Sequence, residues 1–281
     1  LINAHELLLA VNTPYDTANE AHLDRLLQKP PKWVVVPMAY AMSDATLDKL
    51  RALAEAGSVA YLSGDPSIGP DGVRKPERLE SLCGVKFESE TTHPSGPPVP
   101  TASVLDAKPV ENPCGLKLYR RDMGKGAILW TPEPWETLKG KDIFVDDPGM
   151  TVDPKQNLYL SAAPMAGIAP AVKLTADSGV WRVMVTPTAG RRLVTVFPRK
   201  EVVSPVKVGV KGDGFELGFE FSKTWPAMVL LDEKNQVVMG TGTGPLTLNG
   251  DSVIDQAGAW IYMPGDDPGR KFMFSRAYPA R

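Results

Sequence analysis

Side chains able to do chemistry are sparse in this chain and seldom cluster. The three histidines, His5, His22 and His93, are scattered. His22 with Asp24 offers too few donors for a metal, and no His-Glu-x-x-His pattern exists. The two cysteines, Cys83 and Cys114, have neither a zinc-ligand spacing nor the density of a disulfide scaffold. One bridge and two unlinked thiols both fit, and the second is favoured because Cys83 reads as an inward-packing helix end. With no histidine beside it in sequence, Cys83 also lacks the setting of a nucleophile. Ser63 precedes Gly64 but sits in no Gly-x-Ser-x-Gly elbow. Gly240-Thr241-Gly242-Thr243-Gly244 lacks the Gly-Lys-Ser/Thr ending of a phosphate loop, so it reads as a glycine-rich connection of strands. Asp-Asp-Pro-Gly occurs at 146–149 and 266–269. Paired carboxylates suit calcium, but Pro then Gly is turn chemistry, and the turn is the preferred reading. No metal site, cofactor or catalytic residue is therefore expected.

Residues for binding are easier to nominate. In open α/β sheets ligands lie beyond the carboxyl ends of the strands. Two apolar runs end at Met38-Ala39-Tyr40 and at Ser63-Gly64-Asp65, which makes Tyr40 and Asp65 candidates to contact substrate. A plain strand-to-helix loop is the simpler alternative. Aromatic faces can stack on the apolar faces of pyranoses. Of six tryptophans, Trp135 and Trp225 lie beside prolines in expected loops and are the candidate platforms. The other four fall in expected strands, where core packing suffices.

The elements that must carry these residues differ between the two halves. Ile2–Val11 reads as a buried helix ended by Asn12-Thr13-Pro14, and Tyr15–Ala18 as a short extended segment. Leu23, Leu26 and Leu27 recur at helical spacing within 20–27. Trp33–Val36 is a continuous apolar run, as in a parallel strand covered on both faces. Ser43 is placed to cap a helix with Asp44 in its first turn, Leu47, Leu50 and Leu53 inward and Gly57 as C-cap. Val59–Leu62 is the next strand, 76–82 the next helix, and Ala127–Trp130 a returning strand. Residues 91–113 read as a long loop. Strand alternating with helix predicts a doubly wound α/β domain over 1–170. In the flavodoxin-like order 2-1-3-4-5 the first strand is central. The chain begins at the helix after that strand, so a strand ahead of Leu1 is expected to complete the sheet.

From Val172 the period becomes two. Val206, Val208 and Val210 alternate with Lys207, Gly209 and Lys211, and Phe215, Leu217, Phe219 and Phe221 with Glu216, Gly218 and Glu220. Further strands are expected at 181–186, 192–197, 227–231, 236–239, 259–263 and 271–275. Frequent turns between short strands predict an antiparallel β-sandwich over 171–281.

The formal net charge of −2 carries no basic footprint for nucleic acid. No apolar run approaches the roughly 20 residues of a membrane span. Neither kind of partner is expected.

The order of Thr13-Pro14-Tyr15-Asp16, Trp33–Pro37, Met42-Ser43-Asp44, Ala56-Gly57, Ser63-Gly64-Asp65 and Gly124-Lys125-Gly126 resembles the glutamine-amidotransferase-like domain behind the catalytic barrel of many glycoside hydrolases. The β-galactosidases with a trimerisation domain are the best-known case, and a small β domain often comes last in such enzymes. The resemblance implies a non-catalytic region whose partners are a catalytic barrel of the same protein, further copies in a homo-oligomer, and carbohydrate. It also implies an extracellular or periplasmic setting. In such enzymes two barrel glutamates perform hydrolysis, and they have no counterpart here, because no eightfold βα run is present. The amidotransferase cysteine is missing too. A carbohydrate-binding module, and a stand-alone small-molecule enzyme with a pocket near Tyr40 and Asp65, are the alternatives.

Overall fold

The computed structural model describes residues 2–92, 97–138, 157–176, 181–198, 201–255 and 257–262. They divide into two compact units. One holds 2–7, 16–138 and 157–169, and the other 8–15 and 170–262. His93, both Asp-Asp-Pro-Gly segments and the expected strand 271–275 lie outside the described residues.

Helix α1 (Ile2–Leu9) opens the chain, and a 3-10 turn (Glu20–His22) leads into α2 (Leu23–Gln28). Lys29-Pro30-Pro31 cannot continue it. Strand β1 (Trp33–Val36) follows, then α3 (Asp44–Ala56) and β2 (Val59–Ser63). Ser43 Oγ accepts from the Thr46 amide at 3.1 Å, an N-cap that satisfies one of the four free donors at the helix start. Leu47, Leu50, Leu53 and Ala54 form the buried stripe of α3. Each leucine contributes roughly 1.5–3 kcal/mol by its removal from water. Gly57 ends α3 at φ 122°, where a side chain would be strained.

The helix expected at 76–82 is present as helical residues 77–83, of π type over Leu79–Cys83, and stops on left-handed Gly84. The expected loop 91–113 contains strand at 91, 99–104 and 108–109. A hairpin of β3 (Val85–Thr91) and β4 (Val99–Val104) crosses it, and β5 (Lys108–Pro109) follows. Strand β6 (Tyr119–Met123) turns through Gly124 into β7 (Gly126–Thr131); α4 (Trp135–Leu138) and α5 (Leu158–Met165) complete the unit.

The main sheet has the order β1-β2-β7-β6-β5. β1, β2 and β7 are parallel, whereas β6 and β5 run antiparallel, so the sheet is mixed and not wholly parallel. Trp33 pairs directly with Val59, so no gap for a missing central strand separates β1 from β2, contrary to the expected order 2-1-3-4-5, and β1 is an edge among the described residues. β2 is buried at all five positions, which explains its unbroken apolar run. Tyr15–Ala18 joins no strand.

The second unit consists of two five-stranded antiparallel sheets. Its strands are β8 (Val172–Leu174), β9 (Trp181–Thr188), β10 (Arg191–Pro198), β11 (Val206–Gly212), β12 (Phe215–Phe221), β13 (Ala227–Leu231), β14 (Val237–Gly242), β15 (Leu246–Leu248), β16 (Asp251–Ile254) and β17 (Trp260–Tyr262). The orders are β16-β15-β12-β11-β8 and β17-β14-β13-β10-β9. Val208, Val210, Leu217, Phe219 and Phe221 of one sheet share a single core with Val183, Val194, Val196, Val229 and Leu231 of the other. That arrangement is compatible with a β-sandwich.

The glycine-rich stretch has a packing cause. Trp260 lies against it, and its indole donates to the Gly244 carbonyl at 2.7 Å. A Cβ on Gly242 would sit 2.7 Å from that ring. The glycines make room for an indole, not a phosphate.

Candidate functional site

The carboxyl ends of β1, β2 and β7 bring three of the nominated residues to one end of the main sheet. After β1 the chain enters Met38-Ala39-Tyr40-Ala41, with Met38 at φ 55° and Ala41 at φ 56°. Both are non-glycine residues in the left-handed region, which costs about 1–2 kcal/mol each. The surroundings hold this bend. The Met38 amide donates to Ser63 Oγ at 2.9 Å and the Ala39 amide to the Ser63 carbonyl at 2.6 Å. Tyr40 is thereby laid over Gly64, where any Cβ would fall inside its ring. Its hydroxyl donates to the Pro98 carbonyl at 3.1 Å. Burial, and next the charge of Asp65, push the Tyr40 phenol above its usual range.

Asp65 is fully buried. Its carboxylate accepts from the Ser67 amide at 3.0 Å and the Ser67 hydroxyl at 2.5 Å, and pairs with Arg74. Arg74 also pairs with Glu90 of β3 and lies 4.4 Å over the Phe87 ring. One guanidinium thus joins the loop after β2 to the β3–β4 hairpin, a role that uses its planar, multidentate form.

Deeper in, Glu136 of α4 is 3% exposed. Ser63 Oγ donates to one carboxylate oxygen at 2.7 Å and Tyr159 OH to the other at 2.8 Å. Burial pushes the Glu136 carboxyl above its ordinary range, against the opposing pull of those hydrogen bonds. Tyr159 packs edge-on against Trp33, Tyr61 and Trp135 at centroid distances of 6.0, 5.3 and 5.1 Å. Burial drives the Tyr159 phenol far upward. Asn157 caps α5 through the Tyr159 amide at 3.1 Å and donates to the Leu7 carbonyl at 2.8 Å.

Trp135 is 2% exposed, and its indole donates to Tyr61 OH at 2.5 Å. It is a core residue at the start of α4 and offers no free face. Trp225 lies in the other unit, 55% exposed, with the Lys223 ammonium 5.6 Å from its ring centroid.

A serine bonded to a carboxylate has the outline of a nucleophile and base. Here Ser63, Glu136 and Tyr159 are buried, both hydroxyls donating to the carboxylate, and buried Tyr61 packs edge-on against Tyr159. The network therefore locks β2, α4 and α5 together and leaves no face for a substrate. Among the described residues no cluster of three or more His, Cys, Asp or Glu could hold a metal, and no helix is long and apolar enough to cross a membrane. Cys83, buried, and Cys114 are not bridged by a disulfide. A cleft of about 320 Å³ lies beside α3, where Lys75 and Arg78 pair with Asp44, and Arg51 with Asp48.

Sequence reasoning reached Tyr40 and Asp65 through the strand-end rule. It missed Glu136 and Arg74. An acidic residue in the first turn after Thr131-Pro132-Glu133-Pro134 was the available signal for Glu136, and nothing local marked Arg74.

No protein-family model and no curated protein matches the chain. Solved structures do. Gan42B, a GH42 β-galactosidase from G. stearothermophilus, aligns at TM-score 0.54 and 14% identity over 84% of this chain and 35% of its own. A β-galactosidase from Bacillus circulans sp. alkalophilus aligns at 0.53 and 12% identity over 82% of this chain and 37% of its own. The chain therefore spans little more than a third of those proteins, and at such identity the likeness is one of fold.

Proposed function

We propose that this chain is the non-catalytic region of a β-galactosidase-like glycoside hydrolase. In this reading a flavodoxin-like, glutamine-amidotransferase-like domain over 1–170 precedes a β-sandwich over 171–281, and together they support a catalytic barrel and contacts between copies. The observation that carries it is the likeness to β-galactosidases over 84% of this chain and 35% of theirs. One feature of the chain agrees. The Ser63–Glu136–Tyr159 cluster, at the sheet end where a flavodoxin-like fold would bind ligand, is spent on internal hydrogen bonds.

The pure chain is expected to leave an aryl β-galactoside uncut. An antibody raised against it should detect, in the native source, a polypeptide well above 30.4 kDa. Turnover by the pure chain that disappears in Glu136→Gln, or a native band at the size of the chain alone, refutes the proposal.

A further inference from the structure

Trp225 stands in the five-residue link between β12 and β13, whose ends are anchored by Phe221 and Ala227, 1% and 2% exposed. Pro226 restricts the backbone on its carboxyl side. Thr224 Oγ1 accepts from the Val202 amide at 2.7 Å, which ties the link to the segment ahead of β11. The loop is thus held while its largest side chain remains 55% exposed. Trp130, Trp135, Trp181 and Trp260 are each at most 4% exposed. An indole so placed adds little to the core, and apolar surface displayed on a tethered loop is the form a recognition element takes.

Its surroundings select the ligand. A tryptophan that anchors a protein partner stands within a ring of contacts that exclude water. Trp225 stands instead among exposed Ser222, Lys223 and Thr224. An ammonium and a threonine hydroxyl flanking one exposed aromatic ring match a pyranose, which has an apolar face and a rim of hydroxyls. The Lys223 ammonium is held near the indole by cation–π attraction, where it can donate to a bound hydroxyl.

We infer that Trp225, with Lys223 and Thr224, forms a surface platform that binds a pyranosyl residue. The choice of β-galactosides as the sugar rests on the function proposed above; the platform itself does not.

The test is tryptophan fluorescence of the whole chain titrated with methyl β-galactoside, in wild type, Trp225→Ala and Lys223→Ala. The wild type should give a saturable emission change. Trp225→Ala should lose the emission change and, by titration calorimetry with the same sugar, at least about tenfold in affinity with unchanged far-UV circular dichroism, and Lys223→Ala should weaken binding by less. A flat wild-type titration to about 100 mM, beyond the weak end of specific affinity, overturns the inference. So does an equal response in Trp225→Ala, or a blue shift produced by raising protein concentration without sugar, which would assign the indole to a contact between copies. Hydrolysis of an aryl β-galactoside by the chain would defeat the proposed function and leave this titration to decide the platform.

Discussion

Tyr159→Phe isolates a single hydrogen bond in the buried network. The substitution removes one oxygen and keeps the ring that packs against Trp33, Tyr61 and Trp135. What is lost is the 2.8 Å bond into the Glu136 carboxylate. A hydrogen bond to a charged group contributes about 1.5–3 kcal/mol, and a neutral one about 0.5–1.5 kcal/mol. At a pH where Glu136 is ionised the variant should therefore lose about 1.5–3 kcal/mol. Once Glu136 is protonated the bond is neutral, and the loss should fall to about 1 kcal/mol. Two compact units can unfold separately, so a single transition is not assumed. Hydrogen exchange of peptides from β2 and α5, measured with and without urea, reads the unit concerned. A loss below about 0.5 kcal/mol at neutral pH, or one that does not change with pH, would refute the assignment of Glu136 as the acceptor that holds α5 to the sheet.

Other outcomes follow from the same structure. The folded Glu136 carboxyl titrates above its unfolded value of 4.5, so the native state holds its proton more tightly and wild-type stability should fall as pH rises from about 4.5 toward the folded value. Glu136→Gln should lack that falling limb in urea titrations, and an identical pH profile would count against it. Gly126→Ala places a Cβ on the Ser58 carbonyl oxygen and 2.5 Å from that of Ala54, at the start of β7. Overpacking against backbone should destabilise by about 3 kcal/mol or more, whereas Gly115→Ala, with open space but φ 66°, should cost only about 1–2 kcal/mol; thermal melts that rank them the other way contradict the packing. Cys83 is buried, and burial raises its thiol far above the ordinary range. It should resist iodoacetamide at pH 8 in the folded chain and react on denaturation, and equal labelling of Cys83 in both states, by peptide mass spectrometry, would sink this.

The alternation in 206–221 and the capped helix after Ser43 were legible because their physics is local. A period of two exposes one face to a core, and a serine hydroxyl can reach an amide three residues on. The strands within 91–113 were not legible. β4 contains Pro100 and exposes Ser103 and Val104, so it has no apolar alternation to detect, and its pairing with β3 exists only once the hairpin closes. The site divides along the same line. Tyr40 and Asp65 could be named because strand ends position loops by rule. Glu136 could not, since its meaning lies in Ser63, 73 residues away, and Tyr159, 23 away. The sequence by itself determined the apolar periods, caps and breakers, hence the kinds of elements. Only the tertiary structure decided that Trp135 is core, that Trp225 is surface, and that a buried carboxylate closes the sheet end. Burial and long-range pairing depend on which surfaces meet, and no short window of residues contains that information.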